Sequence, residues 1–167
     1  MSRASIVLNY WLPVILWMCL IFGASADTGS SKRSSRLIEP FVRWLFPEVT
    51  EPVVETIVFY VRKGAHVTEY AVLALLLWRA IRKPVWNRPR PWSNRHAAFA
   101  VGLSFLYAVT DELHQHFVPN RQGNPYDVLI DTAGAALAVF AVWLLGKWCK
   151  WWSRTERGVR AASTTFE

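Results

Sequence analysis

Titratable side chains are concentrated in one stretch, residues 107–134, which reads YAVTDELHQHFVPNRQGNPYDVLIDTAG. Its carboxylates form two pairs, Asp111 with Glu112 and Asp127 with Asp131. Such carboxylates can act as general acid and base, share a proton, or hold a divalent cation through oxygen ligands. Because the flanking sequence is apolar and long enough for membrane helices, charges here are costly to keep. This pattern predicts a functional site.

Asp111 and Glu112 are adjacent, so on a helix their side chains point about 100 degrees apart. They cannot form one acid–base dyad, and we predict that Asp111 handles protons because it shares a helix face with Gln115. Gln115 and Glu112 are predicted to contact ligand. An ion pair of Glu112 with Arg121 or Lys63 is the alternative for that carboxylate.

Asp127 and Asp131 are one helical turn apart and are predicted to be catalytic. They could share a proton or hold a divalent cation, which is the cofactor that the residues suggest. The alternative is an acidic first turn favoured by the helix dipole, which suits Asp127 better than the deeper Asp131. A zinc site at His114 and His116 is disfavoured, since this spacing does not present both rings to one ion.

An upstream helix contributes Lys63, His66 and Tyr70, which share a face. His66 is predicted to be a general base, with the alternative that it packs helices together by bonding to a carboxylate. Lys63 and Tyr70 are predicted to bind ligand. Arg121, in the turn after residue 117, could bind a phosphate or carboxylate head group through two hydrogen bonds, or close the turn through a salt bridge.

Four apolar segments have to position these groups. Apolar residues make up 53% of the chain and charged residues 19%, below the roughly 25% of soluble domains, and many of the ten Trp lie near the ends of apolar runs. We therefore predict an all-α polytopic membrane protein, a four-transmembrane-helix bundle. The predicted spans are about 6–24, 65–81, 97–117 and 126–148, within a single domain of residues 1–150 followed by a basic cytoplasmic tail, 151–167.

Two further patterns concern packing and surface. Leu37, Phe41 and Trp44 recur at helical spacing, which predicts a short amphipathic surface helix in the first extracytoplasmic loop, or a cap over the bundle. Small residues four apart, in the pairs Ala98–Gly102 and Gly134–Ala138, predict close helix packing.

The distribution of Lys and Arg predicts the orientation. Of the nineteen cations, twelve fall on the side of the termini and the 79–96 loop, and seven on the opposite side. The positive-inside rule then predicts cytoplasmic termini and a site at the outer face of the bacterial cytoplasmic membrane. The net charge is +7, and the Lys and Arg residues mostly flank apolar runs. This placement favours contact with lipid and argues against nucleic-acid binding. Ala24-Ser25-Ala26 also matches a signal-peptidase pattern, although the apolar run is long for a signal peptide.

The site residues occur in four ordered motifs. These are K-x-x-H-x-x-x-Y (Lys63, His66, Tyr70), Y-x-x-x-D-E-x-x-Q (Tyr107, Asp111, Glu112, Gln115), F-x-P-x-R (Phe117, Pro119, Arg121) and D-x-x-x-D-x-x-G (Asp127, Asp131, Gly134). With the serine-rich exit of the first span, this set resembles the VanZ-like family of membrane proteins over residues 6–146. The resemblance implies an association with low-level resistance to the glycopeptide teicoplanin, and assigns no biochemical activity. Asp131 stands where that family often has Asn, and Asn120 where Gly often precedes the Arg; the first difference adds a negative charge.

Two kinds of function fit this pattern. One is an envelope enzyme whose site acts on the head group of a membrane lipid or a lipid-linked cell-wall precursor, with Arg121 and Lys63 on its anionic group. The other is a non-enzymatic binder or transporter component in which the charges form a recognition or structural network. Transport by this chain alone is disfavoured, because the polar residues do not continue into the inner halves of the helices.

Overall fold

The computed structural model describes residues 3–26, 30–82, 91–118 and 124–152, and these are helical apart from short connections. The all-α prediction is therefore confirmed. The helices are α1 (Arg3–Ile6), a π-helical stretch (Val7–Trp11), α2 (Leu12–Ala26), α3 (Ser30–Leu45), α4 (Glu51–Arg82), α5 (Asn94–Phe117) and α6 (Pro125–Trp148). The N-terminal helical residues 3–26, α5 and α6 lie within a few residues of the predicted segments, whereas α3 begins earlier than predicted and α4 begins at Glu51, well before the predicted span of 65–81. Of the predicted basic tail, residues 153–167 lie outside the described residues.

The N-terminal rod, formed by α1, the π-helical stretch and α2, is fastened to the rest of the bundle along its length. Three side chains donate to backbone carbonyl oxygens across these contacts: Arg79 to Asn9 (2.8 Å), Trp17 to Glu69 (2.9 Å) and Tyr107 to Met18 (2.6 Å). The first of these carbonyls belongs to the π-helical stretch. The rod is therefore a packed helix of the bundle, held near its N-terminal end and in the middle.

The largest part of the bundle core lies where the N-terminal rod, α4 and α5 meet, with Val128 contributed by α6. Tyr70 and Leu73 of α4 are completely buried there, beside the small side chain of Ala108. At Gly134 a Cβ atom would lie only 2.7 Å from the carbonyl oxygen of Val67, so α6 approaches the backbone of α4 directly. The close packing predicted at Gly134 is confirmed.

The other pair of small residues, Ala98 and Gly102, behaves differently. Ala98 is exposed, and a Cβ atom added to Gly102 would meet nothing within 4 Å. The small side chains are on the outer surface of α5, so the prediction that this pair packs closely is wrong within the described bundle.

The ends of the long helices follow from local sequence. Ser93 caps α5 by accepting a hydrogen bond from the amide of His96, and Asn124 caps α6 by accepting from the amide of Tyr126. Pro125 occupies the first turn of α6, where its missing N–H costs nothing. The Asn124 cap fixes where α6 starts, and so the depth of its acidic first turns.

Helix α3 is amphipathic. Ile38 and Val42 pack against α4, while Phe41 and Trp44 face outwards, with Trp44 75% exposed. At its C-terminal end, Arg43 bonds to Glu39 within α3 and to Glu51 at the start of α4. One face of α3 is thus packed and the other is apolar and uncovered by the described residues.

Two described helices are long and apolar enough to cross a membrane, judged by length and composition. They are Ala4–Ser25, with mean hydropathy 2.0, and Pro125–Trp148, with mean hydropathy 2.1. About a fifth of each is buried in the bundle, so most of the apolar surface faces outwards, whereas a soluble protein buries its apolar core helix. Helices α4 and α5, of 32 and 24 residues, exceed the length of about 20 that a bilayer needs but carry more charged side chains.

Candidate functional site

The carboxylate of Asp111 is the centre of a buried hydrogen-bonded cluster. Its Oδ2 atom accepts from the hydroxyl of Ser25 (2.9 Å), from Nε2 of Gln115 (3.1 Å) and, at the long limit of 3.4 Å, from the hydroxyl of Tyr70. Gln115 Nε2 also lies 3.2 Å from the Ser25 oxygen. Donors from α2, α4 and α5 thus converge on one oxygen. The second oxygen of Asp111, Oδ1, is buried and has no hydrogen-bond partner among the described residues.

The acidic first turn of α6 faces α4. Lys63 forms a salt bridge with Asp127, and both side chains are largely buried. The same ammonium lies 5.5 Å from the ring centre of Phe59. The structure thus pairs Lys63, predicted to bind ligand, with Asp127, predicted to be catalytic.

Glu112 joins α5 to the start of α6. Its Oε2 atom accepts the backbone N–H of Asn124 at 2.8 Å, while Oε1 is buried with no partner in the part of the chain that the structure describes. The predicted divergence of the two neighbours on α5 is confirmed, because Asp111 turns towards α2 and α4, and Glu112 turns towards α6. The Glu112 carboxylate is close enough to Asp127, Asp111 and Lys63 to interact with their charges.

Asp131 is the most enclosed carboxylate of the site, with 1% of its surface exposed. Neither of its oxygens accepts a hydrogen bond from a described residue. The charges that act on it are those of its acidic neighbours, with Glu112 first, followed by Asp127, Asp111 and Glu69. A buried carboxylate in acidic surroundings is the kind of group that stores or passes on a proton.

The three histidines near the site have different surroundings. His66 Nδ1 lies 3.9 Å from Oε2 of Glu69, a carboxylate of the same helix. His114 stacks on Phe22 of α2 with ring centres 4.3 Å apart, and His116 is exposed next to Phe117. His114 and His116 therefore point in different directions, as the helical spacing predicted.

Two further predictions concern Arg121 and a divalent cation. Arg121 lies outside the described residues, so its predicted contact with a head group is a proposal. Among the described residues, no group of three or more His, Cys, Asp or Glu side chains is arranged to hold a metal ion.

Ser25 belongs to the site but was not among the residues predicted from the sequence. It is 2% exposed and lies within the Ala24-Ser25-Ala26 triplet that matches a cleavage pattern. The signal for it in the sequence was the serine-rich exit of the first apolar segment. A serine there acquires significance only when α2 is placed beside Asp111, because 86 residues separate the two along the chain.

The region of the chain that contains the site also matches a known protein family. The VanZ/LLP1 family model matches residues 10–146, most of the sequence. The chain belongs to the VanZ/LLP1 family. No curated protein and no solved structure matches it. In this VanZ/LLP1 protein the matched region contains Ser25 and every predicted site residue, so the hydrogen-bonded cluster lies wholly within the family domain.

The arrangement of this VanZ/LLP1 site is suited to proton transfer and to binding donors. Carboxylates predominate among its described side chains: Glu69, Asp111, Glu112, Asp127 and Asp131. Lys63 is already engaged with Asp127. Buried acceptor oxygens on Asp111, Glu112 and Asp131 leave unused hydrogen-bonding capacity, and such groups are costly unless a donor or a proton reaches them.

Proposed function

We propose that this VanZ/LLP1 protein is a polytopic protein of the bacterial cytoplasmic membrane that binds or chemically processes the head group of a lipid or lipid-linked cell-wall precursor. Four spans, formed by the N-terminal rod, α4, α5 and α6, cross the bilayer with the termini in the cytoplasm. The outward-facing apolar surfaces of the rod and α6 support membrane insertion. The exposed face of α3, with Phe41 and Trp44, then lies on the outer membrane surface.

The single observation that carries this proposal is the convergence of buried titratable groups at one end of the bundle. Asp111, Glu112 and Asp131 are each more than 90% buried, and they come from two helices that meet a third carrying Lys63 and Tyr70. Keeping three carboxylates inside a membrane bundle is expensive, so a functional use is favoured over an accidental one. In the proposed orientation, this end lies at the outer leaflet, where envelope precursors and antibiotics are encountered.

In this function Asp111 is the central acid or base, since donors on three helices fix its position. Asp131, His66 and Asp127 complete the proton-handling set, with Asp127 held by Lys63. Arg121 binds an anionic group on the ligand. The family's association with teicoplanin resistance fits a protein that alters surface precursors or lipids.

The second candidate is a non-enzymatic binder or transporter component, in which the same contacts form a structural or recognition network. The observation that favours it is that three donors share the Oδ2 atom of Asp111, which is how a polar cross-link between helices is built.

The test compares teicoplanin susceptibility of cells that express the wild-type chain, the Asp111→Asn variant, and a matched Glu55→Gln control at an exposed position of α4. We expect Asp111→Asn to lose the protective effect while it accumulates normally in the membrane fraction, and Glu55→Gln to keep it. Full protection by Asp111→Asn would contradict the proposal. Loss of protection in proportion to loss of folded protein would favour the structural network.

A further inference from the structure

A groove with a volume of about 510 Å³ lies between α5 and α6, on the outside of the bundle. Its walls are apolar along most of its length, and the residues that form them are Phe105, Val109, Leu113, Val128 and Leu129. Phe105, Leu113 and Leu129 are exposed, so the groove is open towards the bilayer in the proposed orientation. An apolar groove open to lipid is suited to a hydrocarbon chain.

The groove has one polar end, formed by Glu112, His116 and Asn124. Glu112 is 7% exposed and is one of the residues that line this end of the groove. One carboxylate oxygen is occupied by the Asn124 amide, and the other has no partner among the described residues. The polar end thus offers a buried, unsatisfied acceptor with negative charge.

The length of the groove fits one leaflet. Phe105 and His116 are about 16 Å apart along the α5 axis, at the helical rise of about 1.5 Å per residue. This is close to half the thickness of the hydrocarbon core, which is about 30 Å. A molecule with its head at Glu112 would therefore place its tail along Val109 and Phe105, towards the middle of the bilayer, as a lipid of the outer leaflet does.

The charge at the polar end selects among head groups. Glu112 lies in the field of Asp127 and Asp111, and the Lys63 ammonium is paired with Asp127. An ammonium with N–H donors can satisfy the free Glu112 oxygen, whereas a choline head has the same charge but no N–H to donate. A phosphatidylglycerol head has no ammonium, so its phosphate charge would stay uncompensated beside an acidic cluster.

We propose that this groove binds an aminophospholipid, with one acyl chain between α5 and α6 and the primary ammonium donating to Glu112. This inference rests on the proposed function for its membrane orientation, and it names the class of lipid that the site takes. The exposed His116 lies at the rim, next to the head group.

The test uses the purified protein in detergent, supplied with equal amounts of phosphatidylethanolamine, phosphatidylcholine and phosphatidylglycerol of matched chains, with retained lipid counted by native mass spectrometry. We expect retention of phosphatidylethanolamine over the other two by about tenfold, the factor typical of one charge-assisted hydrogen bond. Glu112→Ala is expected to remove the preference. Val109→Trp, which fills the groove but leaves Glu112 in place, is expected to abolish retention.

The matched control is Leu103→Trp, which adds the same side chain to a different surface groove of α5, beside Arg95 and Gly102. It should bind lipid as the wild type does, and size-exclusion profiles show that each variant is folded. Equal retention of all three lipids, a preference for phosphatidylglycerol, or equal losses in both Trp variants would each overturn the inference. If cells with Asp111→Asn stay protected while the purified protein still prefers phosphatidylethanolamine, the proposed function fails and this binding site stands. If Asp111→Asn loses protection but the purified protein shows no lipid preference, the proposed function stands and the aminophospholipid site is wrong.

Discussion

The close approach of α6 to α4 at Gly134 gives a prediction with a matched control. Replacing Gly134 by Ala places a Cβ atom 2.7 Å from the carbonyl oxygen of Val67 and 3.0 Å from its Cγ1 atom. The carbonyl is backbone and cannot rotate away. Ordinary contact begins near 3.4 Å, so α6 has to move by about 0.7 Å from α4. Gly102→Ala is the control, because the added atom meets nothing there.

The magnitude follows from the comparison of these two variants. Both replace a glycine inside a helix by alanine, so the gain in helix propensity of about 1 kcal/mol is common to them and cancels. The remaining difference is the overpacking at Gly134, which costs about 1–3 kcal/mol. We therefore expect Gly134→Ala to be less stable than Gly102→Ala by this amount, which is roughly 2–12 °C in melting temperature for a chain of this length.

The assay is thermal unfolding of the detergent-solubilised variants, followed by size-exclusion chromatography with fluorescence detection. Because Gly134 lies one turn from Asp131, and Val67 follows His66, the displacement also reaches the site. We expect Gly134→Ala to weaken protection against teicoplanin more than Gly102→Ala does. If Gly134→Ala melts at or above the temperature of Gly102→Ala, the direct approach of α6 to α4 at this residue is wrong, and so is the argument that it positions the acidic turns.

Two further predictions test the buried acids. Ser25→Ala removes one donor from the Asp111 carboxylate and should lower the free energy of unfolding by about 1.5–3 kcal/mol, whereas Ser25→Thr, which keeps the hydroxyl, should lose less; equal melting temperatures for Ala, Thr and wild type would contradict the contact. Asp131→Asn keeps the size of a side chain that accepts no hydrogen bond from the described residues, and it removes an acidic group that other carboxylates surround, so we expect unchanged or higher stability. A lower melting temperature for this variant would show that the Asp131 carboxylate has a partner that the amide cannot replace.

Several features of the molecule could be predicted from local sequence. The limits of α5 and α6 follow from apolar runs, from the caps Ser93 and Asn124, and from Pro125, all of which act within a few residues along the chain. The split between Asp111 and Glu112 follows from the angle between neighbouring residues on a helix. Membership of the VanZ/LLP1 family also follows from sequence alone, since the spacing of its motifs is a property of the chain.

Other features depend on which helix faces which. The Ser25 contact with Asp111 joins residues far apart in the chain, and one serine among several near the end of α2 carries no mark that distinguishes it. The two small-residue pairs look alike in the sequence, yet Gly134 is pressed against Val67 and Gly102 faces outwards. Small side chains permit close approach on either helix, and the rotation of each helix about its axis decides where the approach occurs.

The pairing of charges was decided in the same way. Lys63 was expected to hold a ligand or to pair with Glu112, but the packing of α4 on α6 gives it Asp127 and leaves one oxygen of Glu112 buried without a partner among the described residues. The sequence by itself determined the helices, the acidic inventory and the family. The tertiary structure decided which carboxylates are neutralised and which stay unsatisfied, because that depends on distances of a few ångströms between helices, and periodicity along one helix does not encode them.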